Sequence, residues 1–70
     1  MNAKELKVLP FAVGRLEPGQ WIEEGTLIGF SSDWIHVRSP LTGVITAIQP
    51  FGNFVHVVIE RRRDYEEMDE

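Results

Sequence analysis

The chain has 70 residues, no cysteine, and a formal net charge of −4 from 7 basic and 11 acidic side chains. This length allows one domain that buries only about 60% of its unfolded surface, and the lack of cysteine excludes disulfides and thiolate metal sites. A mildly acidic chain is a poor match for nucleic acid, whose binding depends on clustered Lys and Arg. The sequence shows no signal-peptide pattern and no run of roughly 20 apolar residues. We therefore expect no membrane partner and a cytoplasmic location.

The residue pattern divides the chain into three zones. Residues 1–10 form a mixed polar N-terminal lead-in, and residues 61–70 form a charged C-terminal tail. Residues 11–60 contain all six glycines, both tryptophans and all four phenylalanines. Short apolar runs rich in β-branched residues alternate there with turn residues, which is typical of an all-β domain. No window shows the apolar stripe of an amphipathic helix, so we expect little or no helix.

The predicted strands are separated by turns with recognisable chemistry. Residues 17–20 form the first turn, in which proline presets φ and glycine accepts a positive φ. Residues 31–33 close a hairpin, and residues 39–43 form a corner. We expect Gly43 to need a positive φ in that corner, so that Gly43→Val destabilises the domain more than Gly29→Ala.

Alternation along two of the strands separates a core face from an outer face. The predicted core face consists of the aliphatic side chains of Ile35, Val37, Val55, Val57 and Ile59. The predicted partner-binding surface lies opposite and consists of Trp34, His36, Arg38, Phe54, His56 and Val58. Aromatic rings beside arginine are typical of the centre of an interface. Truncation of Trp34 or Phe54 to alanine is expected to weaken assembly by roughly 2 kcal/mol or more and to leave the fold intact.

Two segments resemble those of a known family. Residues 18–28 run Pro-Gly-Gln-Trp-Ile-Glu-Glu-Gly-Thr-Leu-Ile, and residues 37–45 run Val-Arg-Ser-Pro-Leu-Thr-Gly-Val-Ile. Their glycine spacing, their order and their separation are similar to those of lipoyl and biotinyl carrier domains. The resemblance implies a small barrel-sandwich hybrid, which is a flattened β-barrel of two similar halves.

One position separates this chain from the carriers. In that family a lysine at the hairpin tip, eight residues before the corner proline, carries biotin or lipoate. Here the corner proline is Pro40, and the equivalent position is Ser32. A serine hydroxyl cannot supply the amine for an amide bond, so no covalent cofactor is expected. The short second half, with Phe-Gly-Asn-Phe at residues 51–54, resembles the carrier-like domain of the C subunit of Rnf-type electron-transport complexes, where the fold is structural.

The residue pattern does not indicate a catalytic or metal site. The two histidines, His36 and His56, could approach each other if their strands are neighbours, but a closed zinc site needs four ligands. The serines beside Asp33 have no positioned base to activate them. The adjacent carboxylates Glu23 and Glu24 point apart. We therefore predict no catalytic, cofactor-binding or metal-binding residue, and no cofactor.

These observations favour a binding module over an enzyme. We expect a degenerate carrier-fold accessory subunit that binds a protein partner, or a second copy of itself, within a larger enzyme or redox complex. The alternative is a protein that uses its aromatic residues to hold a small molecule or cofactor non-covalently. A minimal enzyme lacks support, because no acid–base or nucleophile set is visible in the sequence.

Overall fold

The computed structural model describes residues 3–12 and 15–61. Its elements in chain order are β1 (Ala3–Val8), a 3₁₀ turn (Pro10–Ala12), β2 (Trp21–Ile22), β3 (Leu27–Phe30), β4 (His36–Arg38), β5 (Gly43–Phe51) and β6 (Phe54–Glu60). Apart from the 3₁₀ turn, the described residues contain no helix. The prediction of an all-β domain with little or no helix is confirmed. Of the predicted tail, all but residue 61 lies outside the described residues.

The strands form two antiparallel sheets. The larger sheet has the order β1-β6-β5-β2, and β3 pairs with β4 in a two-stranded hairpin. The central strand, β6, is rich in β-branched residues that suit a position with a neighbour on each side. A register shift between Ile45 and Ala47 interrupts the pairing of β5 with β6, and such bulges bend a strand. The large sheet curls into a half-barrel, which gives a small barrel-like fold.

The core lies on one face of the curled sheet and is closed by the hairpin. Among the described residues, its buried apolar side chains are Val8, Ile22, Ile28, Leu41, Ile45, Val55, Val57 and Ile59. Burial alternates along β6 as the sequence predicts, with Val55, Val57 and Ile59 inside. Val37 packs partly buried against this core.

The prediction that Ile35 belongs to the core is wrong, because its side chain is 63% exposed. Strand β4 begins only at His36, so Ile35 belongs to the preceding turn. Trp34 has a φ of 64°, which is the left-handed region. A residue in that region reverses the local direction of the chain, so the period-two alternation assumed for residues 34–38 does not extend back through the turn.

The segment predicted as an N-terminal lead-in is part of the β domain. Residues 3–8 form β1 and pair along their whole length with β6, from Ala3 opposite Glu60 to Val8 opposite Val55. The Leu9 N–H then donates to the Phe30 carbonyl at 2.8 Å. The β domain therefore starts well before residue 11, and its first strand connects the large sheet to the hairpin.

Two positions require glycine for different physical reasons. Gly19 has a φ of 93° in the turn over residues 17–20, as the sequence predicts. The predicted positive φ of Gly43 is wrong, since Gly43 is not among the positive-φ residues. An added Cβ on Gly43 would instead overlap the Glu60 carbonyl oxygen and lie 2.7 Å from the carbonyl carbon. Gly43 is required by the close approach of β5 to the end of β6.

The corner at residues 39–43 is held by a buried serine. The Ser39 hydroxyl donates to the Leu41 carbonyl at 2.6 Å. Its N–H donates to the Thr26 carbonyl, and its own carbonyl accepts from Gly25 N–H. These bonds join the corner to the turn between β2 and β3, and they fix the base of the hairpin.

Candidate functional site

The tip of the β3–β4 hairpin is a tight turn with a defined hydrogen-bond pattern. The Ser31 N–H donates to the Ile35 carbonyl, and the Trp34 N–H donates to the Ser31 carbonyl, each at 2.9 Å. The Ile35 N–H also faces the Ser31 hydroxyl oxygen at 3.3 Å. Ser32 is exposed at this tip, where the sequence analysis placed the equivalent of the carrier lysine.

Three aromatic side chains, those of Phe11, Phe30 and Trp34, form a continuous surface at this end of the domain. The exposed Ile35 follows Trp34 in the chain, and we call these four residues the aromatic patch. The Phe11 ring lies 5.3 Å from Trp34 and 6.0 Å from Phe30, centroid to centroid. The third side of this triangle, Phe30 to Trp34, measures 6.3 Å. Phe11, Trp34 and Ile35 are each more than 60% exposed. The rings contact one another, and Phe11 and Trp34 leave most of their area in water, whereas Phe30 is half-buried.

The backbone conformation of Trp34 is energetically unfavourable and destabilises the hairpin. A bulky residue with φ near 64° is a genuine outlier, and the left-handed region costs roughly 1–2 kcal/mol for a residue with a Cβ. The tip hydrogen bonds hold the backbone there. The side chains of Trp34 and Ile35 are both exposed, and the Trp34 ring lies beside Phe11 of the 3₁₀ turn.

The other two β4 residues of the predicted surface differ in their contacts. The His36 ring lies 5.1 Å from the Phe30 ring, at the margin of the aromatic patch. The Arg38 guanidinium donates from Nη1 to the Gly25 carbonyl at 3.0 Å. Arg38 therefore supports the turn between β2 and β3, and His36 is the β4 residue that adjoins the patch.

The remaining predicted residues, Phe54, His56 and Val58, lie on β6 in the larger sheet. His56 Nδ1 is 2.8 Å from Glu5 Oε2, a distance at which the ring N–H donates to the carboxylate. The Phe51 ring stacks on His56 at 5.1 Å, and the Lys7 ammonium lies 4.8 Å from the centroid of the Phe54 ring. These residues belong to cross-strand contacts within one sheet.

The predicted surface is thus divided between two sheets. Strand β4 pairs with β3, whereas β6 lies between β1 and β5, so the condition for a histidine pair, neighbouring strands, is not met. Sequence reasoning missed Phe11, Phe30 and Ile35 as members of one surface. The available signal was the polar turn at residues 31–33, which indicated a hairpin tip but not the left-handed residue that follows it.

A groove of about 400 Å³ adjoins the aromatic patch. It is lined by Phe11, Arg15, Leu16, Leu27, Ile28, Gly29 and Phe30. Two patch residues, Phe11 and Phe30, therefore also contribute to the groove. Among the lining residues that the structure describes, Arg15 is the one that is charged.

The described residues give little support for a metal site or a membrane-spanning segment. Within the ranges 3–12 and 15–61, no group of three or more His, Cys, Asp or Glu side chains could hold a metal ion. In the same part of the chain, no helix is long and apolar enough to span a membrane. Every buried side-chain polar atom described there has a hydrogen-bond partner.

Comparisons of the chain with protein-family models, with curated proteins and with solved structures found no match. The aromatic patch and the groove beside it are therefore the features of this domain that bear on its function.

Proposed function

We propose that this domain is a non-catalytic protein-interaction module that docks through the aromatic patch, as an accessory subunit of a larger enzyme or redox complex. One observation carries the proposal. Three rings in mutual contact form a single apolar surface, of which Phe11 and Trp34 are more than 60% exposed. Ile35, which follows Trp34 in the chain, is exposed to a similar degree. Isolated exposed apolar residues are ordinary, but contiguous apolar patches indicate interaction sites.

The composition of the patch suits the centre of an interface. Aromatic residues are enriched at interfaces, and tryptophan is the residue most often found to dominate binding energy. The hairpin also holds Trp34 in a costly backbone conformation, and such strain concentrates at functional positions. A fixed turn presents the ring in one orientation, which lowers the entropy lost when a partner binds.

The character of Ser32 supports a docking role over a carrier role. Ser32 is exposed at the tip beside Trp34, and a hydroxyl there cannot form the amide that joins biotin or lipoate to a carrier. In this proposal, the hairpin that presents a cofactor in lipoyl and biotinyl domains presents an apolar docking surface in this one. The accessory-subunit assignment rests on that resemblance.

Site-specific photo-crosslinking in the native cell tests the proposal. The photoreactive residue p-benzoylphenylalanine is incorporated at position 34, and at position 51 as the control. Phe51 is a matched control because its ring is 71% exposed on the other sheet. We expect position 34 to give one dominant adduct, to a protein or to a second copy of this chain, and position 51 not to give it.

The crosslinked protein is then purified and titrated against the unmodified domain. Trp34→Ala and Ile35→Ala are each expected to weaken the association at least tenfold, while Phe51→Ala leaves it unchanged. The melting curves of all three variants establish that each remains folded. Equal crosslinking at positions 34 and 51, or an affinity that does not depend on Trp34, would refute docking through the patch.

A second candidate function, non-covalent holding of a small molecule, is favoured by the groove alone. Its volume of about 400 Å³ lies within the range of about 300–1,000 Å³ that is usual for ligand sites.

A further inference from the structure

In its described lining, the groove beside the aromatic patch combines apolar side chains with one charged residue. Phe11, Leu16, Leu27 and Phe30 contribute apolar side chains, and buried Ile28 ties the lining to the core. An apolar body placed there would cover side chains that are now partly in water, which is favourable by roughly 25 cal/mol for each Å² removed from water.

The charge is supplied by Arg15, which is exposed. Among the groove-lining residues that the structure describes there is no carboxylate to neutralise it, and no carboxylate within the ranges 3–12 and 15–61 forms an ion pair with it. The guanidinium has a planar fork of donors that matches a carboxylate in a bidentate arrangement. The electrostatic complement of the described lining is therefore one negative charge on an otherwise apolar molecule.

We propose that the groove is a binding site for a small amphipathic carboxylate, a molecule with an aliphatic or aromatic body and one carboxylate that pairs with Arg15. This inference deepens the small-molecule candidate and does not depend on docking through the aromatic patch. A phosphorylated ligand fits less well, because a dianion favours several cations and Arg15 is the only cation among the described residues that line the groove. A cationic ligand would face the guanidinium without a counter-charge.

Titration of the domain with decanoate, decanol and decyltrimethylammonium tests the ligand class. Decanoate has both required features, decanol lacks the charge, and decyltrimethylammonium reverses it. Binding is followed by calorimetry and by ¹H–¹⁵N NMR, which identifies the amides that shift. We expect saturable binding of decanoate, with shifts centred on Leu16, Leu27 and Gly29, and binding at least about tenfold weaker for the other two compounds.

Charge-matched variants test the role of Arg15. Arg15→Gln is expected to weaken decanoate binding about tenfold. Lys4→Gln removes the same charge from an exposed position in β1 that does not line the groove, and we expect it to change the affinity by less than about twofold because salt screens distant surface charges.

Three results would each overturn the inference: no saturable binding of decanoate, equal affinities for decanoate and decanol, or equal effects of the Arg15 and Lys4 substitutions. NMR shifts scattered over exposed apolar residues such as Phe51 would also refute it, because they would show general adsorption. None of these results bears on partner docking, which is measured separately through Trp34.

Discussion

The approach of β5 to β6 at Gly43 gives a direct test of the packing. A Cβ at this position would lie 2.7 Å from the Glu60 carbonyl carbon and 3.0 Å from the Arg61 Cα, besides overlapping the carbonyl oxygen. All three atoms belong to backbone, so no side chain can turn aside to make room. At Gly29, by contrast, an added Cβ would lie 3.1 Å from the Val8 Cβ and 3.2 Å from its Cγ1. A side chain and a short strand can yield there by a few tenths of an ångström.

The expected changes in stability follow from these contacts. Overpacking a core position costs typically about 1–3 kcal/mol, and we expect Gly43→Ala to lie near the upper value because two strands must separate. A domain of this length has about 4–10 kcal/mol of stability, and 1 kcal/mol corresponds to about 4–8 °C in Tm. Gly43→Ala should lower the Tm by about 12–24 °C. Gly29→Ala gains about 0.4–1 kcal/mol from a less flexible unfolded chain, which offsets part of the crowding at Val8, so its Tm should change by less than about 8 °C.

Thermal unfolding followed by circular dichroism compares the two alanine variants, which carry the same chemical change. Gly25→Ala is the third member of the set, since its Cβ would meet no atom within 4 Å but its φ is 91°. It measures the cost of an unfavourable φ alone, about 1–2 kcal/mol. Equal melting temperatures for Gly43→Ala and Gly29→Ala would refute the close approach of β5 to β6, and with it the register at the end of β6.

Three further predictions address the core, the turn and the hairpin tip. Ile59→Ala should lower the free energy of unfolding by about 2–5 kcal/mol, because Ile59 is fully buried, whereas Ile35→Ala should change it by less than about 0.5 kcal/mol. Similar denaturation midpoints for the two variants would contradict the placement of Ile35 at the surface. Trp34→Gly should be more stable than Trp34→Ala by about 1 kcal/mol, since glycine accepts the left-handed φ, and a more stable alanine variant would show that this φ is not maintained in solution. The intact mass after co-expression with a biotin or lipoate ligase should remain that of the sequence, because Ser32 offers no amine, and an added biotinyl or lipoyl mass would contradict the proposed loss of the carrier function.

The features that could be predicted from the sequence are those fixed by local chemistry. The alternation of Val55, Val57 and Ile59 along β6 indicates which face is buried, because successive side chains of a strand point to opposite sides of the sheet. The positive φ of Gly19 follows from the turn that contains it. The exposed position of Ser32 follows from the polar residues on either side of it. Each of these needs information from only a few neighbouring residues.

Strand β1 could not be predicted in the same way. Residues 3–8 include Lys4, Glu5, Leu6 and Lys7, which individually favour helix over strand. Pairing with β6, whose partner residues lie 47 to 57 positions away in the sequence, makes this segment a strand. Lysines on such an edge also discourage pairing with other chains. Tertiary contact with β6 determines the structure of this segment, and the local sequence of residues 3–8 gives little indication of that contact.

The aromatic patch depends on a single backbone angle that no sequence pattern indicated. If Trp34 were extended, Ile35 would share the inward face with Val37, as alternation predicts, and the outer surface would follow strand β4. With φ at 64°, Trp34 and Ile35 both lie outside, and the exposed apolar area is moved from the strand to the hairpin tip, beside Phe11. That location brings Phe11 of the 3₁₀ turn against Phe30 of β3 and Trp34 of the tip, which lie 19 and 23 residues further along the chain. The surface proposed for docking is therefore a product of the turn, and its position changes if the conformation of that turn changes.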